Sequence, residues 1–365
     1  MMVMQQPNNN PTEEWLYSKR SRLLLGTFSM NERWTQHLQN EAAEFEHGRV
    51  VHFKNASLKT ENTNAICDLS HYGVLEISGN DAGVFLQGQL TNDVLALGVG
   101  DAQWNGWCSA KGRLLVSFLL WRDEVGYFVL LPKSLQAAIQ KRLGMFVLRS
   151  KVTITDVGAT WQRFGVIADA TNGNENSARM RAIKTAETTI IKLTASRSLV
   201  LANADATIRA WHQYKITHLL AKASRWDLAG IRDGVIEITP ETQDAYVPQM
   251  VNFELIGAVN FKKGCYPGQE IVARTQYRGI LKRRMVRATF VAPDVPIAGT
   301  PLYSPAFADQ VAGTIALAAR TDENNGQAVE ALIVAQIEAI TTDSLFLDIE
   351  CTRKLRLLDL PYPVL

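Results

Sequence analysis

The residues best suited to chemistry lie together in one short run late in the chain. The run reads Lys263-Gly264-Cys265-Tyr266-Pro267-Gly268-Gln269-Glu270. Because glycine adopts backbone conformations that other residues avoid, Gly264 and Gly268 let the chain bend on either side of the thiol and approach a ligand. Lys263 and a helix beginning after Gly268 place positive potential near Cys265, which favours a reactive thiolate. The run predicts a functional thiol, with a structural turn around a buried cysteine as the alternative.

Polar and basic residues follow this thiol. Gln269 and Glu270 are placed to contact a polar ligand, although Glu270 also suits the first turn of a helix, where an acid stabilises the dipole. Between Lys262 and Arg287 the chain holds eight basic residues and one acid, whereas its overall net charge is only +2. Such a local excess suits a polyanion such as RNA phosphate, and an ordinary solvated face is the alternative. The predicted basic patch consists of Arg274, Arg278, Lys282, Arg283 and Arg284.

The elements that must position these residues can be predicted from apolar periodicity. Four strand-like segments separated by polar turns precede a helix over residues 134–148 and are typical of antiparallel sheet. An α+β unit follows from about residue 156 to 220, closed by a helix over roughly 206–220. The overall pattern predicts an α+β fold. The four segments cover residues 74–77, 104–109, 113–121 and 127–131.

The two ends of the chain differ from this middle part. Beyond residue 286, short strands alternate with Pro, Gly, Asn and Asp breaks, which predicts a small β-barrel. Residues 1–12 offer little to bury, so we expect them to be disordered. Ser29-Met30-Asn31-Glu32 matches a capping box, and Trp34 and Leu38 recur at helical spacing. We therefore expect an amphipathic helix packed on the first domain.

Composition limits the class of protein. With 365 residues, 47% of them apolar, the chain suits two or three soluble domains with their own cores. Four cysteines form no C-x-x-C pair and six histidines are scattered, so we predict neither a disulfide framework nor a metal site. No run of about 18 apolar residues and no signal-peptide pattern is present. These features predict a cytoplasmic protein without membrane contact.

The run around Cys265 resembles the K-G-C-[Y/F]-x-G-Q-E signature of the YgfZ family. The resemblance spans roughly residues 66–358, and further segments share it. Downstream, these are Ile271-Val272-Ala273-Arg274, Arg278-Gly279 and Lys282-Arg283-Arg284. Upstream, they are Gln87-Gly88-Gln89-Leu90-Thr91-Asn92-Asp93, Ala110-Lys111-Gly112-Arg113 and Val247-Pro248-Gln249.

The resemblance implies three domains around a central channel, as in the glycine-cleavage T-protein, with tetrahydrofolate or another folate bound in the middle. It also implies a ferredoxin-like middle domain and a small C-terminal β-barrel. The expected divisions are 1–62 for an N-terminal extension, 63–155 plus 221–285 for the folate-binding domain, 156–220 for the middle domain and 286–365 for the barrel.

Three folate-binding residues are carried over from the resemblance. Trp226 matches a folate-contacting tryptophan, for which an ordinary core residue is the alternative. Tyr72 aligns with a second family tryptophan and keeps an aromatic face, and Asp233 aligns loosely with the pterin-reading glutamate of T-proteins. Val116 and Ser117 replace the acidic pair that serves aminomethyl transfer, so this transfer is not expected.

The resemblance thus implies a folate-binding accessory protein that supports iron–sulfur enzymes and, through them, tRNA modification. Cys265 is the candidate thiol, and because a lone cysteine cannot complete a cluster site we expect a transient ligand or redox group. Two alternatives stay open: a tetrahydrofolate-dependent aminomethyl- or methyltransferase, and a module that binds tRNA directly through the basic patch. The polyglutamate tail of a folate is a second candidate ligand for that patch.

Overall fold

A computed structural model describes residues 32–54, 64–168, 180–308, 310–321 and 326–364. The predictions for residues 1–12 and for Ser29-Met30-Asn31 lie outside these ranges. The α-helices are α1 (Glu32–Asn40), α2 (Ala82–Gln87), α3 (Lys133–Gly144), α4 (Ala204–Lys215), α5 (Ala223–Arg232), α6 (Gln269–Tyr277) and α7 (Ile337–Thr341). The first strands are β1 (Ala43–Glu46), β2 (Arg49–Phe53), β3 (Ala65–Asp68), β4 (Tyr72–Ser78), β5 (Asp101–Cys108), β6 (Leu114–Arg122), β7 (Tyr127–Pro132), β8 (Thr153–Asp156) and β9 (Gln162–Ile167). The later strands are β10 (Met180–Lys184), β11 (Thr188–Lys192), β12 (Arg197–Ala202), β13 (Leu219–Ala221), β14 (Arg283–Val291), β15 (Pro301–Leu302), β16 (Gly313–Arg320), β17 (Ala328–Gln336) and β18 (Arg356–Leu358).

One large mixed sheet forms the centre of the molecule. Its eleven described strands follow the order β13-β3-β9-β12-β11-β10-β5-β6-β7-β4-β8. Strand β13 pairs parallel with β3, whereas β5, β6 and β7 form the predicted antiparallel meander. Strand β6 is buried from Leu114 to Trp121 because, apart from Ser117, its side chains there are apolar on both faces. The α+β class is confirmed.

The sheet continues across the division predicted at residue 156. Strand β10 pairs with β5 through Met180 opposite Ala102 and Arg181 opposite Asp101. The side chains of Arg181 and Asp101 also form an ion pair, 2.5 Å long. The separation into a folate-binding and a middle domain stays a prediction.

The helices that flank this sheet follow apolar spacing. Helix α3 buries Leu135, Ile139 and Leu143, one residue per turn, in the core beneath the meander. Helix α4 begins where the side chain of Asn203 accepts a hydrogen bond from the Ala206 amide at 3.0 Å. It ends five residues earlier than predicted, because residues 219–221 pair with the edge strand β3 as β13. Helix α5 was not predicted from the sequence.

The N-terminal layer, which consists of α1, β1 and β2, packs on the large sheet and α4. Trp34 and Leu38 are fully buried, as predicted, in a cluster with Phe53, Phe164 and Trp211. The indole of Trp34 also donates a hydrogen bond to the buried carboxylate of Asp68 at 2.8 Å. The predicted helix is therefore confirmed and is built into the core.

The C-terminal part forms a five-stranded sheet in the order β15-β16-β17-β14-β18. Its two edge strands approach each other only through isolated bridges from Phe346 to Tyr303 and to Lys354 among the described residues. The sheet is therefore open, and the predicted closed barrel is not seen in this part of the chain. No described helix combines the length and the hydropathy that crossing a bilayer requires.

Candidate functional site

A cavity lies where α5 faces strands β4, β6 and β7. Its wall contains both aromatic residues predicted to contact folate, Tyr72 on β4 and Trp226 on α5. Three charged side chains, those of Arg197, Asp227 and Glu237, line the same cavity. Aromatic surface with a few convergent polar groups is typical of small-molecule binding sites.

The Trp226 ring is covered by neighbours on the large sheet. Gly165 packs directly against it, because a Cβ atom at this position would overlap the indole. The guanidinium of Arg197 lies 4.1 Å from the ring centroid, which is a close cation–π contact. Only 4% of Trp226 is exposed. A ligand in the cavity would therefore meet a stacked Trp–Arg pair rather than a bare indole.

Asp233, the third predicted folate contact, is not among the described residues that line the cavity. It lies at the C-terminal end of α5, where its carboxylate accepts a hydrogen bond from Arg197 at 2.9 Å. Burial raises the pKa of Asp233, and the charge of Arg197 opposes this shift. The acid therefore holds Arg197 over Trp226 and would act on a ligand only through that guanidinium.

Glu237 and Asp227, both half-buried, form an acidic pair at the cavity. The hydroxyl of Tyr72 donates a hydrogen bond to the Glu237 carboxylate. Burial, aided by the charge of Asp227, raises the pKa of Glu237 to about 7. Burial also raises the pKa of Asp227, but this acid forms an ion pair with Arg49 of the N-terminal layer, which opposes the shift. Glu237 can therefore exchange a proton near neutral pH.

A second cavity adjoins the first and shares Pro132 and Glu237 with it. Arg49, Lys133 and His71 also line this second space. Burial holds the pKa of His71 well below its ordinary value, and neither of its ring nitrogens has a hydrogen-bond partner among the described residues. The second cavity thus offers two cationic side chains and an unpaired imidazole to an anionic group.

Ser117, which the family resemblance aligns with an acid of T-proteins, has a structural role. The Ser117 hydroxyl accepts a hydrogen bond from the Ile238 amide at 2.9 Å and lies 3.1 Å from the Ile236 carbonyl oxygen, to which it donates. It therefore fastens β6 to the segment that carries Glu237. Its neighbour Val116 is fully buried in the apolar core. Neither residue supplies a carboxylate for aminomethyl transfer.

The run around Cys265 is fastened to the turn at residues 109–112 by two glycines. Gly112 and Gly268 both have left-handed backbones, with φ values of +69° and +78°. A Cβ atom at Gly268 would overlap the Ser109 carbonyl oxygen and lie 2.5 Å from the Cα atom of Gly112. This close approach explains why both segments carry glycine, since any side chain would force them apart.

Lys263 has a structural position in this run. Its ammonium donates hydrogen bonds to the carbonyl oxygens of Gln87 and Leu90 at 2.6 and 2.5 Å, and it lies 5.1 Å from the Tyr266 ring centroid. Burial lowers the pKa of Lys263 to about 8. The ammonium group of Lys263, which was predicted to activate the Cys265 thiol, is therefore occupied by hydrogen bonds to the backbone of residues 87–90.

Cys265 is exposed, so the alternative of a buried structural cysteine does not apply to it. It is not among the described residues that line either cavity. By contrast, Cys67 and Cys108 are buried, and burial raises the pKa of each thiol to about 12. Gly264 beside Cys265 is exposed as well, which leaves the thiol open to a macromolecular partner.

The predicted basic patch divides into exposed and buried members. Arg274, Arg278 and Lys282 are exposed, and Arg283 is half-buried. Arg284 is buried instead: it forms an ion pair with Glu254 and a 2.8 Å hydrogen bond to the Gln249 carbonyl. It therefore joins β14 to the preceding segment and is not available to a ligand. Glu270 is exposed and Gln269 half-buried in the first turn of α6.

Sequence reasoning missed Arg197, Glu237 and Arg49. The signal for Glu237 was a single charge inside the apolar run Val235-Ile236-Glu237-Ile238. Arg197 similarly begins an otherwise apolar strand, whose members turn inward. Arg49 had no usable signal, because it lies in the N-terminal extension and reaches the site only through the folded hairpin.

Comparisons with known proteins identify the fold and the family. Residues 29–172 match the family model described as the GCVT N-terminal domain. The solved glycine cleavage system aminomethyltransferase T from Bartonella henselae matches over 90% of this chain and 96% of its own, with a TM-score of 0.72 and 14% identity. The molecule therefore has the aminomethyltransferase T fold.

Relatives with similar sequences show to which family with this fold the chain belongs. A protein named tRNA-modifying protein YgfZ from Vibrio vulnificus strain CMCP6 is 33% identical over 240 residues, which are 64% of this chain and 72% of that protein. The protein of the same name from strain YJ016 is 34% identical over 245 residues, with the same two coverages. This chain belongs to the YgfZ family, which confirms the resemblance seen in its sequence.

Proposed function

We propose that this protein binds a reduced folate in the cavity between Tyr72 and Trp226 and acts as an accessory factor in tRNA modification. The observation that carries the proposal is the convergence of these two aromatic residues with Glu237 and Arg197 on one cavity. A role in tRNA modification is supported by the name of the relatives. Aminomethyl transfer is not part of the proposal, because Ser117 is tied to the backbone where the reaction needs an acid.

The pterin of a folate suits the groups in the first cavity. Its 2-amino-4-oxo ring presents adjacent N–H donors, which a carboxylate accepts as a pair. Glu237 would supply that carboxylate, and the Trp226–Arg197 pair a planar surface for the ring. Because the pKa of Glu237 is raised to about 7, ligand binding that requires the carboxylate should release a proton at and below neutral pH.

The second cavity suits the other end of a folate. The p-aminobenzoyl-glutamate tail carries carboxylates, and Arg49 and Lys133 are the cations that would meet them. The two cavities share Glu237, so one molecule could extend from the pterin site toward these cations. Folates with longer polyglutamate tails are then expected to bind more tightly.

Cys265 would serve a partner rather than the folate itself. The thiol is exposed on a loop that the Gly112–Gly268 contact fixes in place. A single thiolate cannot hold an iron–sulfur cluster, but it can act as a transient ligand to a cluster enzyme. We assign it this role in support of iron–sulfur enzymes that modify tRNA.

Complementation tests the proposal in cells. Deletion of the gene should reduce a subset of modified nucleosides in total tRNA, measured by mass spectrometry of digests. The wild-type gene should restore them, whereas Glu237→Gln and Cys265→Ala should not, and Glu124→Gln, which changes an exposed residue that lines neither cavity, should behave as wild type. Unchanged nucleosides in the deletion strain would refute the accessory role, and in vitro glycine-cleavage T activity would refute the exclusion of transfer.

Direct tRNA binding is a second candidate function, and one exposed surface supports it. Arg274 and Arg278 on and after α6 are exposed next to Tyr277, which is 69% exposed. Exposed aromatic side chains among cations suit unpaired bases and phosphates. If this surface grips tRNA, log affinity should fall with log salt concentration, and Arg274→Glu with Arg278→Glu should flatten that slope. Absence of binding at low salt would remove this candidate.

A further inference from the structure

Folding brings two histidines and one glutamate together at the contact between the N-terminal layer and helix α4. His37 and Glu41 are four residues apart, on and just after α1, which places them on one side of that helix. His212 comes from α4, far away in the sequence. One ligand atom from each of the three side chains lies within 4.8 Å of the other two. Histidine nitrogen and carboxylate oxygen are the ligands that divalent zinc and its neighbours accept.

The hydrogen bonding and the ring orientation of the two histidines are compatible with their acting as metal ligands. The Nε2 atom of His37 is buried and has no hydrogen-bond partner among the described residues, although buried polar atoms are usually paired. The two imidazole rings are 5.0 Å apart between centroids and nearly perpendicular, so they are not stacked on each other.

We propose that His37, Glu41 and His212 form a binding site for a divalent transition-metal ion of the zinc type. Metal–ligand bonds of about 2 Å would bring ligand atoms to roughly 3.3 Å from one another in a tetrahedral site, so modest side-chain rotation closes the group. Glu41 now pairs with Lys215, whose side chain is 41% exposed and can turn to solvent. A solvent molecule would complete the coordination, as in other sites with three protein ligands.

Such an ion would clamp the N-terminal layer to α4. The same layer carries Arg49 into the second cavity, so the clamp would also stabilise the position of that cation. The site itself does not depend on folate binding, because its residues line neither cavity among those described. Metal binding and folate binding can therefore be tested separately.

The test uses tag-free, metal-stripped protein in a Cys265→Ser background, since the exposed thiol could bind zinc independently. Titration with ZnCl₂ should show one equivalent bound and a rise in the thermal unfolding midpoint. CoCl₂ should give visible ligand-field bands without thiolate charge transfer. His212→Gln, which changes an exposed residue, and His37→Gln should each weaken binding at least about tenfold, whereas the exposed control His52→Gln should not.

The outcomes distinguish the alternatives. Binding by wild type that is lost in His212→Gln while His52→Gln matches wild type would support the site. No zinc binding, or equal affinity in His212→Gln and wild type, would overturn it. His212→Gln keeps the test decisive if His37→Gln fails to fold, because His37 packs against the buried Trp34. The complementation phenotype of Glu237→Gln is independent of either result.

Discussion

Glu237 is expected to have opposite effects on ligand binding and on stability: its ionised carboxylate would bind the proposed ligand, but the same charge destabilises the native state. It is half-buried beside Asp227 and accepts a hydrogen bond from Tyr72, and burial raises its pKa from 4.5 to about 7. In the native protein it therefore holds its proton over a pH range in which the unfolded chain has lost it. Since the native state binds more protons between about pH 4.5 and 7, this group lowers stability as the pH rises through that range. The penalty is complete above the folded pKa and absent below 4.5.

Glu237→Gln removes this penalty while keeping an acceptor for the Tyr72 hydroxyl. The free energy of unfolding of the variant relative to wild type should increase by about 2 kcal/mol between pH 5.5 and pH 8. Urea unfolding at the two pH values measures this difference, with the exposed Glu124→Gln as the control. A difference that does not change with pH would contradict the raised pKa.

Cysteine burial leads to a second prediction for single residues. Cys265 is exposed and Cys351 partly so, whereas Cys67 and Cys108 are enclosed. A thiol reagent should modify Cys265 in the native protein and should reach Cys67 and Cys108 only after denaturation. Mass spectrometry of labelled peptides gives the order of reaction. Rapid labelling of Cys108 in the native protein would contradict this prediction and would show that the region around β5 opens.

At the scale of elements, the Cys265 run depends on backbone contact with the 109–112 turn. Gly268→Ala places a Cβ atom against Gly112 and the Ser109 carbonyl in a left-handed conformation. This change should destabilise the native state by roughly 1–3 kcal/mol, because both strain and overlap must be relieved. Urea unfolding measures the loss.

Gly264→Ala is the matched control for that prediction. A Cβ atom there meets no described atom within 4 Å, and Gly264 is not among the residues with positive φ. The control should therefore unfold within about 0.5 kcal/mol of wild type. Equal losses at the two glycines would contradict the proposed contact.

The elements also show what the sequence pattern could predict. Apolar runs such as Leu114 to Trp121 specify strands by themselves, and the spacing of Leu135, Ile139 and Leu143 specifies a helix. The pattern failed where tertiary pairing decided the outcome, as at residues 219–221, which extend the sheet beside β3 instead of continuing α4. The missing closure of the C-terminal sheet has the same origin, because edge pairing is not encoded in strand periodicity.

For the candidate site, the family resemblance named Tyr72, Trp226 and Asp233 as folate contacts, and this stays a prediction. Tyr72 and Trp226 line one cavity, whereas Asp233 accepts a hydrogen bond from Arg197 and is not among the described residues of the cavity wall. Glu237 and Arg197 are lone charges in apolar segments, so only the packing of α5 on the sheet assembles them. Likewise, His37 and His212 have no spacing that marks a metal site until α1 lies on α4.

At the scale of the whole molecule, the N-terminal layer is part of the core rather than an appendage. Trp34 is fully buried against Trp211, and its indole satisfies the buried Asp68. Trp34→Ala should cost about 3–5 kcal/mol, because it leaves a cavity and removes one hydrogen-bond donor to the buried Asp68 carboxylate, while the hydrogen bonds from Ser70 to that carboxylate remain. Urea unfolding tests this, with the exposed Gln36→Ala on the same helix as the control. A loss below about 1 kcal/mol would show that the layer is loosely attached.

The proposed function depends on the binding of a reduced folate in the cavity at Glu237. Calorimetric titration of the wild type with tetrahydrofolate at pH 7.5 measures this binding, in parallel with Glu237→Gln and the exposed control Glu124→Gln. We expect saturable one-to-one binding by wild type and control, and affinity weaker by roughly tenfold or more in Glu237→Gln, which remains folded and at least as stable. Absence of binding by wild type, or equal affinity in Glu237→Gln, would contradict the account.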